Sequence, residues 1–270
     1  MLSVSTSPII ARFLDSVPAV TISFWRMAFG AIILWSFSIY KKQSALKKTN
    51  LIRTIIAGFF LGIHFALFFA SIKLTTIANA TFLGTLAPMI TFIIEKIFLK
   101  RNHSKSLMAG LFLALLGASI IISNKFDFSS SYTIGNILAI LSSVFIGFSL
   151  IISENVRKQV STISYSRTLF LTAAFTLLSI AIILDTDLIG FSMSDFFGLL
   201  FLGIVPTLLG HGVLYYCVRY ISPTVVAAIP MGEPIIASVI AWFLFHEAVG
   251  PIILFGGSIT FLGLLVLTKK

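Results

Sequence analysis

Cysteine is nearly absent, one in 270 residues, which excludes a disulfide-framed secreted scaffold. Charge is scarce as well: 10% of the residues are Asp, Glu, Lys or Arg, against about 25% in a soluble domain. Acidic groups are the scarcest, nine against 19 Lys and Arg. The 18 glycines and 8 prolines follow no period, so the chain is neither collagen-like nor low-complexity. The N-terminus lacks the basic stretch, short apolar core and cleavage site of a secretory signal. What fills the chain is apolar: 58% of it is hydrophobic, with 27 Phe and a mean hydropathy of +1.07. A soluble globular domain is excluded, and an all-α polytopic membrane protein remains. The net charge of +10 does not indicate a nucleic-acid partner, because that requires basic residues clustered on one folded face. Here they sit in short turns between apolar runs, where Lys and Arg act as orientation signals. The expected partner is the lipid bilayer.

Runs with little or no charge mark spans at about 17–40, 53–72, 74–95, 106–124, 132–153, 165–184, 196–217, 223–246 and 250–268, each near the roughly 20 residues needed to cross hydrocarbon. Leu2 to Leu14 is also apolar, but at 1.5 Å per residue it reaches only about 20 Å and reads as a shortened first helix. If that remnant runs outward, the cytoplasmic side collects Lys41, Lys42, Lys47, Lys48, Arg53, Lys96, Lys100, Arg101, Lys105, Arg157, Lys158, Arg219, Lys269 and Lys270, fourteen of the 19 cations. The other side collects Lys73 and Lys125 with most of the acids. Cytoplasmic loops accumulate Lys and Arg, so the C-terminus is expected in the cytoplasm.

The chain also repeats itself. At an offset of 141, TISFWR ending at Arg26 meets TISYSR ending at Arg167, and Leu61-Gly62-Ile63 meets Leu202-Gly203-Ile204. At an offset of 146, Lys73 meets Arg219, Pro88 meets Pro234, Gly110 meets Gly256 and Gly117 meets Gly263. The chain thereby divides into units 1–125 and 132–270. About ten helices result, five per unit, and an odd number of spans makes the second unit enter the membrane from the opposite face, an inverted repeat of the kind transporters use. The helix at 132–153 maps back to one starting about ten residues before Met1, so the stated start is expected to lie inside the first helix.

Glu233-Pro234, then IIASVIAWFLFHE ending at Glu247 and GPIILFGGSITFLGLLV, resembles the closing two helices of the EamA-type transporters of the drug/metabolite transporter superfamily. LAPMITFIIEKIFL and MAGLFLALLGASIII repeat it more weakly in the first unit. The resemblance implies two inverted five-helix bundles, alternating access, and a central cavity lined largely by the third, fourth, eighth and ninth helices. It implies a secondary transporter in the plasma membrane moving small metabolites such as amino acids, nucleosides or drugs, often outward, with proton exchange in some members. The chain departs from symmetry where Lys100-Arg101 stands opposite His246-Glu247.

Each candidate residue has a structural alternative. Glu233 falls about 15 Å deep in its run, where an acid is a functional candidate by default. Pro230, Gly232 and Pro234 weaken the helix around it, and irregular backbone at membrane depth is tolerated where it lines protein or a wet cavity. The functional reading has Glu233 carrying a proton or a cationic substrate group; the alternative has it tying off backbone freed by the prolines. Its repeat partner is Ala87. His64 and His211 sit at nearly equivalent places and suit a proton relay, or each is a histidine satisfied by a carbonyl. Arg26 and Arg167 brace gates or attract anions, or snorkel to the interface. Pro88, matching Pro234, carries Thr81, Thr85 and Phe92 at helical spacing, and paired mid-helix prolines point to a binding site. Tyr215 lies one turn from His211. Gly58 with Gly62, Gly110 with Gly117 and Gly256 with Gly263 read as close helix packing.

No metal-ligand spacing and no cofactor motif appears. The chain has no Walker-type phosphate loop, so a gradient or substrate exchange would drive transport. An intramembrane enzyme on a lipid-like substrate would need a nucleophile elbow or a metal cluster, and none of the known motifs is present. A passive channel would lack saturation and counterflow.

Overall fold

The computed structural model describes residues 1–122, 130–233, 235–236, 239–240 and 250–269. Among them every regular element is a helix: α1 Leu2–Ser5, α2 Ser7–Phe13, α3 Ala19–Tyr40, α4 Lys48–Leu74, α5 Ile77–Gly84, α6 Ala87–Ile93, α7 Lys105–Ile122, α8 Thr133–Arg157, α9 Thr162–Ile183, α10 Met193–Leu202, α11 Gly212–Cys217, α12 Pro223–Ala228 and α13 Pro251–Thr268. Seven helical stretches are long and apolar enough to cross a membrane, and three shorter apolar ones, Leu2–Ala11, Lys105–Ile121 and Pro223–Gly232, accompany them. These fall on the charge-poor runs. The 223–246 run is described only in part, and Glu247 lies outside the described residues with Pro234, Trp242 and His246.

Local chemistry sets several boundaries. Ser161 caps α9 by accepting the Ser164 N–H at 3.2 Å, and Ser192 with Asp195 forms a reciprocal box on α10, both satisfying donors that a helix start leaves unpaired. Pro206 removes one N–H from the middle of its span. The chain answers by widening into π turns over Gly203–His211 between α10 and α11, an irregularity the sequence reading did not anticipate.

The main core is formed by α3, α4, α8 and α9 with α10 and α11 against them, and Phe65, Phe69, Tyr165, Phe170 and Tyr215 are buried in it. Small residues set the helix spacing. A Cβ on Gly58 would lie 2.7 Å from the Leu169 carbonyl oxygen, and one on Gly62 2.8 Å from Thr176 Cβ, so this stripe seats α4 on α9. α7 and α13 pack along each other through a second stripe, in which Gly110 faces Gly263 and Gly117 faces Gly256; ascending one helix descends the other, so the pair is antiparallel. Ser23 Oγ donates to the Phe65 carbonyl at 3.1 Å and Ser149 Oγ to that of Ala57 at 2.9 Å. Such interhelical bonds matter because lipid offers polar groups no alternative partner. The outer face is apolar, with Ile32, Phe112, Phe175, Leu254 and Phe255 all exposed, as a surface in contact with acyl chains requires.

Candidate functional site

The site is built where two helices are interrupted. Thr76 caps α5 by accepting the Asn79 N–H at 3.1 Å. α5 ends at Gly84, Thr85 Oγ1 donates to the Phe82 carbonyl at 2.8 Å, and α6 starts with Pro88 in its first turn, where a missing N–H costs nothing. In the second unit Ser222 caps α12 with Pro223 behind it. That helix tightens into a 3-10 turn over Ile229–Gly232 containing Pro230, and Glu233 follows in helical conformation.

Both interruptions face one cavity of about 80 Å³. Its wall includes His64 and Phe65 from α4, Thr81 from α5, Thr85 just after it, His211, Tyr215 from α11, Pro230, Glu233, and Arg26 from α3. Eight of the candidates read from sequence thus meet around a single space. Pro88 lies outside the wall, in the first turn of α6 beneath it, and Arg167 stands elsewhere. Phe92, grouped by spacing with Thr81 and Thr85, belongs to the separate core between α7 and α13.

The polar groups differ in how well they are satisfied. His64 Nδ1 lies 2.8 Å from the Ser142 carbonyl and His211 Nδ1 3.0 Å from the Pro206 carbonyl. A carbonyl can only accept, so each imidazole carries its proton on Nδ1 when neutral and keeps the Nε2 lone pair free. The two rings flank Phe65, at 4.8 and 5.0 Å between centroids. Tyr215 OH shares a hydrogen bond of 2.8 Å with Ser149 Oγ. Thr81 Oγ1 is buried with no partner.

The two arginines at equivalent places have different surroundings. Arg26 is 1% exposed; its Nε donates to Thr207 Oγ1 at 3.1 Å, its Nη1 to Ser7 Oγ at 3.2 Å, and its guanidinium stacks 4.2 Å from the Phe65 centroid. It turns into the bundle rather than out to an interface. Arg167 is also buried, but it braces the α3–α4 connection through Ser38 Oγ and the Ser44 carbonyl with its guanidinium 4.5 Å above the Trp35 ring. Spacing gave the equivalence of these residues and could not give their partners.

A second polar constellation was not singled out in the sequence, where its cations counted only as orientation signals. Glu95 has no solvent exposure. Arg101 bridges it at 2.7 Å to Glu154, also at 2.7 Å, Thr224 Oγ1 donates to Glu95 at 2.6 Å, and Lys158 reaches Glu154 at 2.9 Å. Burial works against the Arg101 guanidinium, yet the two carboxylates hold its pKa above the usual arginine value. The cluster ties the end of the α6 segment to the start of α12 and the end of α8. Removing one partner of a buried ion pair costs about 3–5 kcal/mol, so Glu95→Ala is expected to lower the thermal midpoint of the purified protein by several degrees. An unchanged midpoint would mean that the cluster holds nothing together.

Long apolar helices enclosing a largely apolar cavity in which a few ionisable groups meet at two helix breaks define a multi-pass membrane transporter. The chain belongs to the EamA-like transporter family, whose model matches residues 1–123 and 133–269. It is 23% identical over 259 residues to the uncharacterized transporter YdfC of Bacillus subtilis (strain 168), covering 95% of this chain and 84% of that one. It is 30% identical over 103 residues to the uncharacterized transporter YyaM of the same organism, over 36% of this chain and 33% of that protein. A protein of known crystal structure shares the fold, with a TM-score of 0.82 at 16% identity over 98% of this chain and 93% of the other.

Proposed function

We propose that the chain is a secondary active exporter of small organic metabolites, working by alternating access around the cavity that Glu233 and Arg26 line. The observation that carries this reading is the convergence of both helix breaks, both histidines, Glu233 and Arg26 on one enclosed space. Irregular backbone and ionisable groups at membrane depth are expensive, and they persist where a substrate or ion path uses them. The units 1–125 and 132–270 are the two halves that move against each other, as inverted five-helix repeats. Two separate family matches and the antiparallel pairing of Gly110 with Gly263 and Gly117 with Gly256 support that division. Glu233 is the proton carrier, and Thr81, Thr85, Tyr215, His64 and His211 contact the substrate or relay protons. Pro88 and Pro230 mark the breaks, and Arg167 fixes the end of one half.

The test is counterflow. Proteoliposomes loaded with a defined metabolite mixture, read by mass spectrometry with and without a pH gradient, are expected to show saturable exchange of one compound class. Flux that rises linearly with concentration and shows no counterflow would make the protein a channel. A reporter fused after Lys270 should be active in the cytoplasm of cells in which the protein sits in the plasma membrane, as the distribution of Lys and Arg requires. A reporter active on the outer side would reverse the orientation.

A further inference from the structure

We propose that Arg26 and Thr81 form an anion-binding end of the cavity and that the transported molecule carries a carboxylate, an inference that rests on the transporter reading above. The guanidinium of Arg26 is 1% exposed, and its Nη2 is buried without a hydrogen-bond partner. Among the described residues no carboxylate forms an ion pair with it, although Lys73, Arg101 and Lys158 all have one. A buried cation with no carboxylate in contact is costly: Glu233 acts on it only through space, beyond ion-pair distance, and hydrogen bonds to the hydroxyls of Thr207 and Ser7 do not neutralise it. Those tethers and the rings of Phe65 and Phe69, at 4.2 and 5.5 Å, fix the position of the guanidinium, cation–π contact holding its face. Nη2 remains to donate.

Thr81 supplies the second observation. It is 7% exposed, it lines the same cavity from α5, and its Oγ1 is likewise buried without a partner. An unsatisfied buried donor costs about 1–3 kcal/mol, so two from residues lining one cavity call for an acceptor bound there. A carboxylate is such an acceptor and matches the single positive charge of Arg26. A phosphate dianion would exceed that charge beside the Glu233 carboxyl. Glu233, on the same wall, forms no ion pair with Arg26 although its charge acts on it through space, so the ligand meets a cationic and an acidic group in one cavity.

The test uses proteoliposomes and a mixture of small carboxylic acids, amino acids included, each paired with its primary amide. The expected result is exchange of acids over their amides by about tenfold or more. Arg26→Gln should erase that preference, Arg26→Lys should keep part of it by retaining the charge without the fork, and Thr81→Val should weaken acid exchange severalfold in a protein that folds normally. Equal exchange of acids and amides, or an intact acid preference in folded Arg26→Gln, overturns the proposal and leaves the transporter reading standing. If folded protein exchanges nothing, the transporter reading fails instead. The anion site is then decided by heating the purified protein with each acid and its amide: a rise in the unfolding midpoint with acids alone supports it, and no rise overturns it.

Discussion

Glu233→Gln is expected to reduce pH-gradient-driven transport by about tenfold or more, with the protein still folded and inserted. The substitution nearly preserves shape and keeps an amide able to bond the backbone near Pro230, so a carboxyl that only ties off the break would be replaced without loss. A proton carrier cannot be, because an amide does not titrate. At membrane depth the energetic cost of an ionisable group marks it as functional by default. The structure places Glu233 in the cavity wall directly after the Ile229–Gly232 turn, where its proton would be accessible to the substrate path. Glu233→Asp should recover part of the driven flux. Full pH-driven flux in Glu233→Gln would make this carboxyl structural and move the coupling to His64 and His211, whose Nε2 atoms are the remaining proton acceptors on the wall.

Gly117→Leu is expected to be more damaging, abolishing the folded protein rather than its coupling. A Cβ at Gly117 would lie 2.5 Å from the Gly256 carbonyl oxygen and against the backbone nitrogen of Thr260, and backbone cannot rotate aside as a side chain can. α7 and α13 would have to separate along their length. Overpacking a closed interface costs about 1–3 kcal/mol even where side chains give way, and here nothing gives way. Gly110→Leu should behave alike, since its Cβ would meet the Gly263 carbonyl oxygen at 2.6 Å. Gly250→Ala is the control, with nothing within 4 Å of the added carbon. The yield of monodisperse protein and its thermal midpoint read the effect, and a Gly117→Leu protein as stable as the control would show that the two helices do not need this contact.

The chain illustrates what one-dimensional pattern carries in a membrane protein. Because every backbone group in hydrocarbon must be paired within its own helix, long charge-poor runs become helices wherever they occur, and the described helices fall on those runs. Depth in an apolar run identified Glu233, and the repeat and its shared prolines identified Thr81, Thr85, His64 and His211 as candidates, since ionisable residues and paired breaks are rare inside a membrane and therefore visible in a sequence. The glycine pairs were legible for the same reason, although their mates were not: Gly110 aligns with Gly256 in the repeat yet packs on Gly263.

What stayed hidden depends on contacts across the chain. Arg26 and Arg167 look equivalent in sequence, yet one stacks on Phe65 inside the cavity and the other on Trp35 at the α3–α4 connection. Arg101 looked like one more orientation cation until Glu95, six residues before it, and Glu154, from a helix distant in sequence, closed around it. The π turns at Pro206 were equally invisible, because whether a proline kinks, widens or ends a helix depends on which neighbours can take up the freed carbonyl. Hydrophobicity and period act on each residue where it stands and so determine class, spans and candidate positions from sequence alone. Pairing of charges and donors depends on which helices come to lie side by side, and only the tertiary structure decides that.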